Sequence, residues 1–116
     1  HGAASYVCQN KEGQIDDTES ISAGLDYPGV SPIHCFLKDA GRARYTYATD
    51  EEALEAYKLV VKLETISPSL EPSHAFAEAI KIAPKLSKKT LIICNSCGHS
   101  YKDKKIIQKR LGAYLG

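Results

Sequence analysis

The sequence predicts an α/β fold: a mixed or parallel sheet with flanking helices, of which this chain supplies a part. Three observations carry that expectation. Segments that alternate every second residue are interleaved with segments of helical period. Their order is strand, loop, helix, strand, two helices, strand, helix, as in α/β proteins with a partly parallel sheet. The run at residues 90–94 (TLIIC) is short, unbroken and apolar, like strands buried on both faces of such a sheet. About three or four strands are too few to cover that run from both sides. The sheet is therefore expected to be completed by further chain.

Residues 4–9 (ASYVCQ) read as the first strand. The turn Asn10, Lys11, Glu12, Gly13 and a short extended piece at Gln14 and Ile15 make it a hairpin. Residues 16–31 hold Gly24, Pro28, Gly29 and many small polar residues. A loop of that length in a compact domain is often functional. Ser31 and Pro32 open a helix, because Pro is preformed for a first helical turn. It runs through Ile33, Cys35, Phe36 and Leu37 and stops at Gly41. Residues 44–48 (RYTYA) carry the aromatic and β-branched alternation of a strand. Thr49 and Glu52 form a capping box. The helix that it opens has an apolar stripe at Ala53, Ala56, Tyr57, Val60, Val61 and Leu63, and Ser67 with Pro68 breaks it. A further helix begins near Pro72, carries Ala75, Phe76, Ala79 and Ile80, and ends at Pro84. Residues 95–101 read as a turn. A last helix covers roughly residues 103–111, with Gly112 as its C-cap. No internal repeat or low-complexity segment is found.

The chain has 116 residues, 43% of them apolar and 25% charged, with a net charge of +1. That suits one ordinary globular domain. Charges of both signs are mixed along the length, which leaves no electrostatic footprint for nucleic acid or an anionic membrane surface. The longest apolar runs are far too short to span a bilayer. The start, His1-Gly2-Ala3-Ala4, has neither the basic region nor the apolar stretch of a secretory signal. The chain has no Met, and residues 1–116 are read as one segment cut from something longer. Its four cysteines, Cys8, Cys35, Cys94 and Cys97, are expected to be reduced, in a cytoplasmic protein.

Read from the residues alone, several positions are candidates. Cys94 and Cys97 form a C-x-x-C between strand and helix, the pattern of a dithiol redox site. Against it, Cys94 belongs to the apolar run and the helix starts late for its N-terminus to act on that thiol. Cys94, Cys97 and His99 could bind zinc only with a distant fourth ligand, and Cys8 and Cys35 form no second pair. The plainer reading makes Cys8, Cys35 and Cys94 small core hydrophobes. The turn after residue 94 lies beyond the carboxyl end of a strand, where α/β sheets bind ligands; a merely tight turn explains it equally. Asp26 sits in a Gly/Pro loop and is either a turn former or a functional residue. His74 is either a structural His or a base. Glu71 stands where negative charge favours a helix N-terminus. A stand-alone binding or structural module is the alternative to an enzyme.

Residues 20–30 (SISAGLDYPGV) resemble the SAGLDYPGV segment of tryptophan synthase beta chains. Residues 36–43 (FLKDAGRA) resemble the family's stretch ending in GRA, and residues 49–56 (TDEEALEA) resemble TDDEALEAF. Residues 71–75 (EPSHA) resemble ESSHA, and Cys97-Gly98 with Lys102-Asp103 resembles SGRGDKD near the family's C-terminus. The likeness is collinear and covers nearly the whole chain. It implies part of the larger domain of a fold-type-II enzyme that uses pyridoxal phosphate (PLP), a lyase of tryptophan biosynthesis. Such an enzyme joins L-serine to indole, with loss of water. Indole arrives through a tunnel from an alpha subunit, and two beta chains form a homodimer.

Residue by residue, the resemblance implies that Asp26 engages the serine substrate in the closed state and that Gly24 lies beside it. The backbone carbonyls of Tyr27 and Gly29 match a site for a monovalent cation, sodium or potassium. Glu71 matches a Glu near the cofactor. Cys97 falls where the family has the Ser that hydrogen-bonds the PLP ring nitrogen, with Gly98 next to it; Ser96 takes that place if the turn shifts by one. A thiol is the weaker hydrogen-bond partner. His99, Ser100 and Tyr101 stand where SGRGDKD has Arg, Gly and Asp, and Pro72 replaces the first Ser of ESSHA. No segment resembles the family's Schiff-base lysine motif, its phosphate loop or its catalytic glutamate. The segment alone is therefore expected to be inactive.

Overall fold

The computed structural model describes residues 2–115. They form two compact units that divide between Thr46 and Tyr47.

In the first unit Asn10 turns the chain. Its Oδ1 accepts from the amides of Glu12 and Gln14 at 3.1 and 2.9 Å. Gly13 takes a φ of 78°, a left-handed value open to glycine without steric cost. The result is an isolated antiparallel bridge between Gln9 and Ile15, and a second bridge joins Val7 to Gly29. Helix α1 (Pro32–Asp39) starts as expected: the Ser31 side chain accepts from the Ile33 amide, and Pro32 takes the first position. Gly41, at φ 64°, lets the chain leave. The helix buries Cys35, whose sulfur accepts from the Tyr6 amide at 3.3 Å. The Tyr6 hydroxyl donates to Asp39 at 2.7 Å, and the Lys38 ammonium lies 4.6 Å from the ring centre. The hydrogen bond to Asp39, and then its charge, hold the phenol above its ordinary pKa.

The second unit contains α2 (Asp50–Glu64), α3 (Leu70–Ile82) and α4 (Lys104–Leu111). The capping box of α2 is complete. The Glu52 amide donates to Thr49 Oγ1 at 3.2 Å, and the Thr49 amide donates to Glu52 Oε2 at 2.8 Å. The same carboxylate accepts from Lys81, near the far end of α3, at 2.7 Å. A contact between the start of one helix and the end of the next makes the pair antiparallel. Lys81, followed by the Thr49 amide, holds the Glu52 carboxyl below its ordinary pKa. Whatever these contacts contribute is present above the usual glutamate range and lost as pH falls through the depressed value. Helix α2 ends at Glu64, before the expected break at Ser67 and Pro68, because Thr65 turns left-handed at φ 56°. That conformation costs a β-branched residue roughly 1–2 kcal/mol. The core of this unit is Ala53, Leu54, Ala56 and Tyr57 of α2, Leu70 and Ala77 of α3, and Ile107 of α4. Gly112, at φ 73°, ends α4 as expected.

The helices match their sequence signals, but the predicted sheet does not form. Among the described residues no segment makes a strand. Residues 4–9 carry two isolated bridges, and residues 44–48 and 90–94 carry none. In the run at 90–94, Leu91 is 83% and Ile93 87% exposed. A strand exists through the hydrogen bonds of its neighbours, and an apolar pattern does not supply them. Ile92 instead lines an apolar groove of about 420 Å³ with Leu59, Leu63, Ile66, Phe76 and Ile80. Of the cysteines read as core hydrophobes, Cys35 is buried, Cys94 is half-buried and Cys8 is exposed.

Candidate functional site

The candidate residues fall on both units. In the first, a 3-10 turn (Ala23–Leu25) presents Gly24, and Asp26 follows as its C-cap, donating its amide to the Ala23 carbonyl at 3.4 Å. Gly24, Asp26 and Tyr27 are all exposed. The preceding residues, Ile21 and Ser22, are buried and anchor the loop. Backbone contacts fix its return. The Cys8 amide donates to the Pro28 carbonyl at 2.7 Å, and the Ser5 hydroxyl donates to the Val30 carbonyl. Gly29 passes so close to the first segment that a Cβ there would lie 3.1 Å from Val7 Cγ1. The carbonyls of Tyr27 and Gly29 thus flank a pinned Pro28, on a loop held at both ends.

In the second unit an isolated bridge between Pro68 and His99 sets the turn that carries Cys97 against the start of α3. The Ser69 amide donates to the Gly98 carbonyl at 2.9 Å, and the Ser100 amide donates to the Ser67 carbonyl at 3.0 Å. The approach is tight, since a Cβ on Gly98 would stand 2.8 Å from Ser69 Oγ, and that side chain would have to shift to admit it. Ser69 is the N-cap of α3 but makes no side-chain capping bond. Its Oγ is buried, with no hydrogen-bond partner among the described residues.

The capping comes from Asp103. Its Oδ2 accepts from the Leu70 amide at 2.9 Å, and its Oδ1 accepts from Lys102 Nζ at 2.9 Å. Asp103 is itself the N-cap of α4, yet its side chain makes no bond to that helix. Lys102 also donates to both oxygens of Glu71, at 2.9 and 2.8 Å. Burial pushes the Lys102 ammonium pKa down, but the hydrogen bonds to Glu71 and Asp103 outweigh it and leave the pKa above its ordinary value. One cation therefore bridges two carboxylates at the first turn of α3. His74 donates Nδ1–H to the Leu70 carbonyl at 2.7 Å, a tie back to the previous turn of its own helix.

The structure thus joins Glu71 and Gly98 through the start of α3, with Cys97 and Ser96 exposed on the turn before Gly98. Cys94 and Cys97 are free thiols, and α4 begins only at Lys104. Among the described residues no group of three or more His, Cys, Asp or Glu side chains gathers to hold a metal, so the zinc set is not assembled. An exposed thiol, a close-packed glycine and a nearby carboxylate suit one edge of a PLP ring, where the nitrogen takes a hydrogen bond. They offer neither a cradle for its phosphate nor a covalent anchor. Sequence reasoning missed Ser69, and it noted Ser100 only as a departure from SGRGDKD; the side chain that caps α3 comes from distant sequence and has no local signal.

No family model matches the chain. Individual relatives do. The tryptophan synthase beta chain of Bordetella petrii is 51% identical over 112 residues, covering 97% of this chain and 28% of that protein. That of Cereibacter sphaeroides is 53% identical over 112 residues, 97% of this chain and 27% of the relative. Tryptophan synthase beta chain 1 of Chlamydia caviae is 56% identical over 103 residues, 89% and 25% respectively. The chain therefore spans a little over a quarter of the length of the curated relatives it matches. No helix among the described residues is long and apolar enough to cross a membrane. With about half of all positions identical over nearly its whole length, the chain belongs to the tryptophan synthase beta chain family.

Proposed function

We propose that these residues are the C-terminal part of a PLP-dependent lyase that joins L-serine to indole to give L-tryptophan and water. The observation that carries this reading is the collinear identity, about half of all positions, to relatives named tryptophan synthase beta chain. PLP, when bound, supplies the electron sink for that chemistry. The residues of this chain supply orientation and charge. Cys97, or Ser96 one position earlier, meets the ring nitrogen. Gly98 holds that turn against α3, and Glu71 provides the nearby carboxylate, fixed by Lys102. Asp26 engages the serine substrate, with Gly24 beside it. The carbonyls of Tyr27 and Gly29 are hard oxygens of the kind that sodium or potassium takes. An alpha subunit supplies the indole, a second beta chain completes a homodimer, and the enzyme works in the cytoplasm.

The missing sheet fits the same reading. Leu91 and Ile93, exposed on an apolar run, have the composition of a strand buried on both faces. In the whole enzyme this run, and the segments at 4–9 and 44–48, pair with strands from the rest of the larger domain. The test is direct. A full-length polypeptide containing this segment, loaded with PLP, is expected to form tryptophan from L-serine and indole, and the isolated segment to form none above a PLP-only blank. No product from the full-length protein, or turnover by the segment alone, counts against the proposal.

A further inference from the structure

Ser100, which stands where SGRGDKD has a glycine, is completely buried, and its hydroxyl is one of the two inner members of a chain of four. Ser100 Oγ is hydrogen-bonded to Ser67 Oγ and, at 2.9 Å, to Tyr114 Oη. Ser67 Oγ in turn lies 3.4 Å from Tyr57 Oη, and Tyr57 is a buried core residue of α2. One serine side chain therefore ties the turn to two other places: the connection between α2 and α3, and the tail after α4. The backbone alone holds this turn through two bonds, Ser69 amide to Gly98 carbonyl and Ser100 amide to Ser67 carbonyl. Both lie within two residues of the Ser100 hydroxyl. Glycine at this position would have no hydroxyl to offer and would leave more backbone freedom to the unfastened chain.

We infer that Ser100 is a positioning residue of this chain's cofactor site. Its hydroxyl fixes the turn so that the residue before Gly98 faces the cofactor in one orientation, and it acts through the turn without touching PLP. The inference rests on the reading of Cys97 and Gly98 as a PLP edge. A hydroxyl network in which every member is satisfied holds a single arrangement well, and here Tyr57 and Ser100 are buried while Ser67 and Tyr114 are half-buried. Tyr57, Ser67, Ser100 and Tyr114 each have a partner here.

The test compares Ser100→Ala, Tyr114→Phe and Cys97→Ala with the parent in the full-length protein. Three quantities are measured: amide exchange at Ser69 and Ser100 without PLP, the PLP dissociation constant, and the visible spectrum of the bound cofactor. Ser100→Ala is expected to speed exchange at both amides about tenfold and to weaken PLP about fivefold, the scale of one hydrogen bond. Tyr114→Phe, on a half-buried residue that can turn to water, is expected to act in the same direction and less strongly. Unchanged exchange in Ser100→Ala overturns the inference. So does faster exchange with unchanged PLP affinity, if Cys97→Ala still alters the spectrum. If Cys97→Ala is also silent, the reading of this turn as a cofactor edge has failed, and the positioning role falls with it.

Discussion

Asp26→Ala in the full-length protein is expected to lower tryptophan formation by about 100-fold or more, the scale on which one positioned charged or polar group acts in a transition state. The fold should barely notice. Asp26 is exposed, and the bond it gives the 3-10 turn comes from its backbone amide, which alanine keeps. The loop is held from both sides by buried Ile21 and Ser22 and by the Cys8 to Pro28 backbone bond. Exposed substitutions of this kind usually stay within about 0.5 kcal/mol in stability. The loss should therefore fall on kcat and kcat/KM, with the urea midpoint and PLP binding unchanged. If Asp26 only completes the turn through its backbone amide, turnover survives the substitution and stability stays unchanged.

Asp103→Ala is expected to destabilise the second unit strongly, by about 3 kcal/mol. Asp103 is 5% exposed and the Leu70 it serves is fully buried. Alanine leaves the Leu70 amide without its acceptor and Lys102 with one of its two carboxylates gone. Asp103→Asn keeps an acceptor oxygen for the amide and should cost about 1 kcal/mol. Urea denaturation separates the two. The Lys102 contacts carry their own pH signature. Because the ammonium pKa is raised in the folded state, their contribution is fully present below the ordinary lysine range. It is lost only as pH climbs through the raised value. The gap between the parent and Lys102→Met should thus be constant through neutral pH and close in strong alkali.

What the sequence revealed and what it hid divide by the range of the chemistry. Helix ends were legible because a cap is local: Thr49 and Glu52 lie three residues apart, Pro32 sits at the first position of α1, and Gly112 closes α4. The end of α2 was missed because Thr65 adopts a left-handed turn that its residue type disfavours. The expected strands do not form among the described residues. Alternation in residues 44–48 and the apolar run at 90–94 describe a surface that wants neighbours, and the neighbours are not in these residues. The start of α3 hid its cap for the opposite reason, since Asp103 bonds Leu70 from far along the chain. Asp26, Gly24, Tyr27 and Gly29 were ordinary loop residues to any spacing argument. The length of the loop and its Gly/Pro setting made Asp26 a candidate, but only the likeness of residues 20–30 to SAGLDYPGV gave each residue a role, and the structure shows a well-anchored loop that exposes Gly24, Asp26 and Tyr27.

The measurement to make first is a PLP titration of the full-length protein, parent against Cys97→Ser, followed by the cofactor's absorbance. If this turn is the edge that meets the ring nitrogen, the hydroxyl is the better partner. Cys97→Ser should then bind PLP about fivefold more tightly and shift the bound cofactor's spectrum. Identical affinity and an identical spectrum in the two proteins would contradict the placement of Cys97 at the cofactor.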